Sequence, residues 1–164
     1  MSKRLQRDPA NSYRRSVEAA RRFPPGAHCV CGESRPLALI PNSNPTICAA
    51  CDRKQKGKSA IDKHHVAGKS NSPVTIPTPV NDHRADLSAA QHDWPKETLE
   101  NPEQNPLLRN AAHIRGFADT TSYLVNSFLL PQAEQSEQLN AQLTKKYGPK
   151  WWQDSEPNTP ARED

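Results

Sequence analysis

Apolar residues at helical spacing mark the C-terminal half of the chain. They recur three or four positions apart over residues 107–129 and again over residues 139–147, which is the period of an α-helix. Gly116 interrupts the first set and predicts a bend or a split there. Pro131 lies between the two sets and is expected to end the first helix. The pattern therefore predicts two helices that form a C-terminal helical hairpin.

The middle of the chain follows a different period. Residues 70–80 alternate small polar residues with β-branched ones between prolines, which is typical of a short edge strand or hairpin arm. Asn81 or Asp82 can then cap a helix that continues to about Gln91. Residues 37–40, with the sequence Leu-Ala-Leu-Ile, predict another short strand.

The composition limits what can hold this chain together. With 164 residues, 34% of them hydrophobic, and 16 prolines, there is room for one modest domain with tails but not for a large apolar core. Something besides apolar packing is therefore expected to support the fold. No apolar run has the roughly 18 residues that span a membrane, and the N-terminus lacks the apolar core of a secretory signal. We expect a cytoplasmic protein without a membrane partner.

The net charge of +4 is unevenly distributed along the chain. Residues 1–70 hold 14 Lys and Arg against 5 Asp and Glu, whereas residues 71–164 hold 8 against 13. The N-terminal part is therefore the part suited to contact phosphate groups. Within it, residues 1–25 form a basic arm with a predicted short helix, which either lies on nucleic acid or serves as a solubilising tail. A second basic run covers residues 53–63 and leads directly into a pair of histidines.

Four cysteines occur in two clusters that suit a metal ion. Cys29 and Cys31 form the first, and Cys48 and Cys51 form the second, with 16 residues between the clusters. In a reducing compartment such clusters more often bind metal than form disulfides. The pattern predicts a zinc ribbon, in which each cluster presents two ligands to one tetrahedral ion. Because His28 and Cys31 have the usual two-residue gap, either His28 or Cys29 can supply the fourth ligand.

Three of the six histidines lie between Asp62 and Arg84. His64 and His65 are adjacent, so on a strand their side chains point to opposite faces and are expected to do different work. His83 falls in the first turn of the predicted helix. If His64 and His83 hold a divalent ion, positions remain open for water and a phosphate oxygen, and His65 can deprotonate the water. These residues suit metal-assisted hydrolysis of a phosphodiester.

The same residues resemble a known family. The pair His64-His65, followed by Asn-Asp-His-Arg at 81–84, is similar to the ββα-metal motif of HNH endonucleases, and the resemblance covers about residues 28–92 with a zinc ribbon in front. It implies that His64 and His83 bind the catalytic metal and that His65 is the general base.

The resemblance also implies an asparagine in the catalytic group. Asn71 and Asn81 are the two that can stand for it, and we assign Asn81. The position of a third metal ligand, four residues after His83, is occupied by Leu87. Two imidazole ligands are compatible with Mg²⁺, Mn²⁺, Ni²⁺ or Zn²⁺, and we expect an ion of the Mg²⁺ class.

Together these predictions describe an α+β protein with a small zinc ribbon plus a ββα-metal module, followed by a C-terminal helical hairpin. The predicted segments are a basic arm (1–25), the ribbon and metal module (26–95), a helical region (96–150) and a tail (151–164).

The function that we expect is a metal-dependent HNH-type endonuclease that cleaves DNA, with a structural zinc ion and a catalytic Mg²⁺ or another divalent cation. One alternative is a non-catalytic zinc-ribbon protein that binds nucleic acid and carries a vestigial HNH site. Another is a partner-binding protein that acts through its helical hairpin and Trp151-Trp152. The C-terminal helices also offer a surface for a homo-oligomer.

Overall fold

The structure, a computed structural model, describes residues 9–153. It confirms a mixed α+β protein with a small sheet and several helices, and the first part of the predicted basic arm and most of the predicted tail lie outside the described residues. Residues 1–123 and 124–164 form two compact units, and each is described by itself. The elements in chain order are α1 (Pro9–Ala20), α2 (Ala49–Gln55), β1 (Ile61–His65), β2 (Thr75–Pro79), α3 (Val80–Asp82), a π-helical turn (His83–Leu87), α4 (Ser88–His92), α5 (Lys96–Glu100), α6 (Pro106–Leu124), a second π-helical turn (Val125–Leu129) and α7 (Leu130–Tyr147).

The sheet is an antiparallel hairpin of β1 and β2, so the strand predicted over residues 70–80 is confirmed as β2. In its register Asp62 lies opposite Thr78. His64 and Thr78 are almost completely buried, with exposed fractions of 1% and 0%. Because alternate residues of a strand share a face, Asp62 lies on the same inner face as His64.

The helix predicted after β2 is present over residues 80–92, but its predicted cap is wrong. Helical structure begins at Val80, and the preceding residue Pro79 makes no side-chain capping bond. The side chain of Asn81 instead accepts a hydrogen bond of 2.9 Å from the backbone N–H of Ala50, in the first turn of α2. Asn81 therefore connects α2 to α3.

The cysteine-rich segment forms a small lobe that ends in α2. The strand predicted over residues 37–40 reduces to a single antiparallel bridge between Leu39 and Cys48. Cys29, Leu39 and Cys48 form a buried cluster, against which Phe23 packs. Apolar packing in this lobe is limited to this small cluster, as expected for a segment whose stability needs another source.

Helix α6 packs closely against the chain that follows β1. A Cβ atom on Gly116 would lie 1.9 Å from the carbonyl oxygen of Val66, so this approach requires glycine. Nearby, Ala67, Trp94 and Ala112 form a second buried cluster. The predicted split of the helix at Gly116 is wrong, since α6 continues through it and the glycine serves close packing.

We expect Gly116→Ala to lower the free energy of unfolding by about 1–3 kcal/mol, because the added methyl group forces α6 away from the Val66 carbonyl. Alanine has a better helix propensity than glycine by about 1 kcal/mol, which acts in the opposite direction. Urea unfolding of the two proteins measures the difference. Asn110→Ala, at an exposed position of the same helix, is the control and should change stability little. Equal or greater stability of Gly116→Ala would contradict the close packing described.

The second unit contains α7. Pro131 lies near its start, but the two residues before it, Leu129 and Leu130, already have right-handed helical dihedral angles. The predicted end of a helix at Pro131 is therefore wrong, and one long C-terminal helical run over residues 106–147 replaces the two separate helices that were predicted. The indole N–H of Trp151 donates to the side-chain oxygen of Asn140 at 3.1 Å, so the chain after α7 folds back on that helix. Leu139 and Tyr147 are 53% and 61% exposed, and a homo-oligomer through this region stays a prediction.

None of the described helices combines the length and apolar character that crossing a membrane requires.

Candidate functional site

The four cysteine side chains converge on one point. The Sγ atoms of Cys29, Cys31, Cys48 and Cys51 all lie within 4.8 Å of one another, and all four thiols are free. A tetrahedral zinc ion with Zn–S bonds of about 2.3 Å holds its sulfurs about 3.8 Å apart. The separation of 3.6 Å between the Sγ atoms of Cys31 and Cys48 is close to that value. Among residues 9–153 this is the only such cluster of three or more His, Cys, Asp or Glu side chains, and it can hold a metal ion such as zinc.

Tight backbone turns position the thiols. Cys48 caps α2, and its Sγ accepts a hydrogen bond of 3.4 Å from the backbone N–H of Cys51. In the first cluster the N–H of Gly32, which has a φ of +91°, donates to the carbonyl of Cys29 at 2.9 Å. His28 is exposed, and its Nδ1 bonds the carbonyl oxygen two residues before it at 2.9 Å. Of the two predicted candidates for the fourth ligand, the structure thus brings Cys29 into the cluster.

The thiols do not ionise independently. Burial raises the pKa of the Cys29 thiol, but hydrogen bonds from the backbone N–H groups of Cys31 and Cys48, together with those from the Cys31 and Cys51 thiols, lower it to about 6. Hydrogen bonding with Cys31, followed by that with Cys48, raises the pKa of Cys51 to about 12. Four thiolates this close together repel one another, and a divalent cation removes that repulsion.

His64 and His83 meet on the inner side of the hairpin, with 5.2 Å between their ring centroids. Burial, together with the nearby His83 and His65, lowers the pKa of His64 to about 4, so its ring is neutral at pH 7. The Nδ1 atom of His64 is buried without a hydrogen-bond partner among the described residues. The side-chain N–H of Gln91 lies 3.4 Å from its Nε2 and can only donate, so Nε2 carries the lone pair. The structure thus brings together two of the predicted metal ligands.

An ion-pair chain fixes the ring of His83. Its Nδ1 lies 2.8 Å from one carboxylate oxygen of Asp62, and the other oxygen accepts a bond of 2.5 Å from Arg53. Burial opposes ionisation of Asp62, but the hydrogen bonds from Arg53 and His83 lower its pKa. Because a carboxylate accepts, Nδ1 of His83 carries the hydrogen of this bond, and in the neutral form of the ring Nε2 holds the lone pair. Carboxylates commonly orient metal-binding histidines in this way.

Asp62 was not among the predicted site residues, although the sequence contained a signal for it. It precedes His64 by two positions, which places both on one face of a strand.

His65 has the opposite orientation and a different partner. Its Nδ1 lies 3.2 Å from the backbone carbonyl oxygen of Ser72, which can only accept a hydrogen bond. Nδ1 therefore carries the hydrogen, and Nε2 has a lone pair that makes no hydrogen bond within the described part of the chain. The ring is partly exposed. An imidazole held in this tautomer is able to accept a proton at Nε2.

Gln91 is a further residue that the sequence did not identify as part of the site. Its side-chain N–H group donates to the carbonyl oxygens of His65 at 2.6 Å and Val66 at 3.2 Å, in addition to its contact with His64. The glutamine thus attaches α4 to the end of β1 and helps to hold both histidines.

The two asparagines considered for the catalytic group have structural roles. Asn81 bonds Ala50, as described above, and donates to the Glu33 carboxylate at 3.1 Å. Asn71 is buried and donates to the carbonyl oxygen of Thr98 at 2.9 Å. Both amides make these structural contacts. The catalytic role assigned to Asn81 stays a prediction.

Arg35 connects the cysteine lobe to the π-helical turn that begins at His83. It bonds the carboxylates of Glu33, Asp82 and Asp86, each at 2.7 Å. The hydrogen bond from Arg35 is the largest of the influences that lower the pKa of Glu33 to about 2. Tyr123 donates to Asp82 at 2.8 Å from α6. The lobe, the π-helical turn and α6 are thereby linked by charged hydrogen bonds.

Comparison of the chain with protein-family models, with curated proteins and with solved structures finds no match in any of the three. The chemistry of the site follows from its own residues. It combines a pair of histidines able to bind a metal ion, a third histidine with an available Nε2, and four thiols at metal-binding separation.

Proposed function

We propose that the protein is a metal-dependent endonuclease of the HNH type that hydrolyses DNA phosphodiester bonds. The observation that carries the proposal is that two adjacent side chains of β1 point to opposite faces and have different partners. His64 turns inward toward His83, whereas His65 turns outward with Nδ1 bonded to Ser72 and Nε2 available. A metal-binding pair beside a proton acceptor is what assisted phosphodiester hydrolysis requires.

In this proposal His65 is the general base. Its Nε2 takes a proton from a water molecule as the water attacks phosphorus, and the Ser72 carbonyl stabilises the imidazolium that forms by accepting the hydrogen bond from Nδ1. The backbone carbonyl takes the orienting place that the resemblance gave to an asparagine.

His64 and His83 would hold the divalent cation. The fit rests on ring centroids 5.2 Å apart, on a neutral His64 ring whose Nε2 makes only a long contact of 3.4 Å with Gln91, and on a carboxylate behind His83. When bound, such a cation neutralises negative charge on the phosphate and its leaving oxygen. Asp62, Arg53 and Gln91 keep the two rings in place.

The four cysteines would bind a structural zinc ion that stabilises the cysteine lobe. The lobe carries α2, and α2 supplies both Ala50 for Asn81 and Arg53 for Asp62. Zinc binding therefore supports the position of His83, although the zinc takes no part in hydrolysis.

Nicking of supercoiled plasmid tests the proposed function. Wild-type protein is incubated with Mg²⁺, Mn²⁺, Ni²⁺ or Zn²⁺ and in excess chelator, beside the double variant His64→Ala/His83→Ala. We expect metal-dependent nicking by the wild type and a loss of about 100-fold or more in the double variant. His113→Ala, an exposed histidine on α6, is the matched control and should retain full activity.

Two outcomes would contradict the nuclease. The first is absence of nicking with every metal, and the second is equal nicking by the double variant. DNA binding without cleavage would favour the non-catalytic zinc-ribbon alternative.

A further inference from the structure

The basic run over residues 53–63 separates into two groups in the structure. Arg53 is bound to Asp62, and Lys56 lies 2.7 Å from the Asp52 carboxylate one helical turn before it. Within residues 9–153, Lys54, Lys58 and Lys63 have no ion-pair partner. The run is therefore partly structural and partly available to an anion from outside.

Of the available lysines, Lys63 has a defined relation to the proposed base. It precedes His65 by two positions on β1, so both side chains lie on the outer face of the hairpin, about 6.7 Å apart along the strand. Lys63 is exposed, and its partner across the sheet is the exposed Pro77. His65 lies opposite Thr75.

The outer face of the hairpin carries no acidic side chain and one lysine. Its members from the two paired strands are Ile61, Lys63, His65, Thr75, Pro77 and Pro79, and none is acidic. The one carboxylate of the hairpin, Asp62, lies on the inner face and is bound by Arg53 and His83. An anionic chain laid along the outer face would meet Lys63 without a competing carboxylate from these strands.

We propose that the outer face of the hairpin is the contact surface for the DNA backbone, and that Lys63 is a positioning residue that binds a phosphate next to the one presented to His65. The inference rests on the proposed function and adds to it a substrate-binding surface and a direction, along β1, for the bound strand. Lys63 touches the nucleic acid but takes no part in proton transfer.

Lysine on an edge strand also has a purely structural use, since it discourages pairing with a strand from another molecule. The two roles predict different measurements. Loss of a phosphate contact changes the salt dependence of DNA binding, whereas loss of edge protection changes the oligomeric state and leaves the salt dependence unaltered.

The test measures DNA binding in the His65→Ala protein, so that cleavage does not interfere. Anisotropy of a labelled 20-base-pair duplex is followed against NaCl concentration for His65→Ala alone, with Lys63→Gln added, and with Lys63→Arg added. We expect Lys63→Gln to reduce the slope of log Kobs against log [NaCl] by about 0.9 and Lys63→Arg to retain it. Lys96→Gln, the same change of charge at an exposed position of α5, is the control and should leave the slope unchanged.

An unchanged slope for Lys63→Gln, or the same decrease for Lys96→Gln, would overturn the proposal. Thermal melting and size-exclusion chromatography of the variants detect a folding defect or a change in oligomeric state, and Lys63→Arg keeps the test informative if glutamine perturbs the strand. Plasmid nicking together with an unchanged slope would retain the nuclease and reject this surface. A smaller slope for Lys63→Gln, without plasmid nicking by the wild type, would support this surface and reject the nuclease.

Discussion

Plasmid nicking by His65→Ala is expected to be about 10²–10⁴-fold slower than by the wild type, because removal of the imidazole removes the proton acceptor. The fold should be little affected. The side chain is partly exposed, and its described hydrogen bond is the 3.2 Å contact with the Ser72 carbonyl, which contributes about 1 kcal/mol. Initial rates at saturating metal and a thermal melt of the same preparation separate the two effects.

Exogenous imidazole sharpens this test. A small base that diffuses into the space left by His65→Ala should restore part of the nicking rate, whereas a structural defect would not respond to it. His92→Ala, an exposed histidine on α4, serves as the control and should behave as the wild type does. Undiminished nicking by His65→Ala would remove His65 from the role of base.

Replacing Cys48 by serine is expected to abolish binding of the structural metal and to unfold the cysteine lobe. Apparent binding free energies of structural zinc sites are about 10–16 kcal/mol, comparable with the whole stability of a small domain at about 5–15 kcal/mol. Cys48 is completely buried and caps α2, so no other part of the lobe compensates for its loss. Metal analysis of purified protein should give about one zinc per chain for the wild type and far less for Cys48→Ser.

The control for this variant is Val30→Ser, which introduces the same residue at a position of the lobe that is 87% exposed. It should retain zinc and melt as the wild type does. Chelation of the wild type should reproduce the Cys48→Ser phenotype, and added Zn²⁺ should reverse it. Full zinc content and an unchanged melt in Cys48→Ser would refute a structural metal at this site.

The spacing of the chemically distinctive residues was enough to predict the local features of the site. The cysteine spacing indicated one cluster, strand alternation separated His64 from His65, and the prolines around β2 marked an edge strand. In each case the prediction depended on neighbours close in sequence. Such neighbours have their relative directions fixed by the backbone period alone.

Features that depend on distant contacts were not predicted. Pro131 was interpreted as the end of a helix, but a π-helical turn just before it carries the helical backbone into α7, and the sequence does not indicate that turn. Gly116 was interpreted as a weak point of a helix, but its requirement comes from Val66, fifty residues earlier in the chain. Asn81 was assigned to catalysis through the resemblance to the HNH motif, and its contact with Ala50 was not predicted because the cysteine lobe sets the position of Ala50.

The π-helical turn at His83–Leu87 has an evolutionary consequence. An α-helix turns by about 100° per residue, so His83 and Gln91 would point about 80° apart in a regular helix. A π-helical turn contains one additional residue, which rotates the next helical segment back by about 100° and brings Gln91 onto the face that meets β1. Deletion of a single residue within this turn would restore a regular helix with seven residues from His83 to Gln91, about 700° of turn, so Gln91 would stay within about 20° of the His83 direction. The contact of Gln91 with the end of β1 is therefore expected to survive loss of the additional residue, although each residue after the turn would move back by one position along the helix.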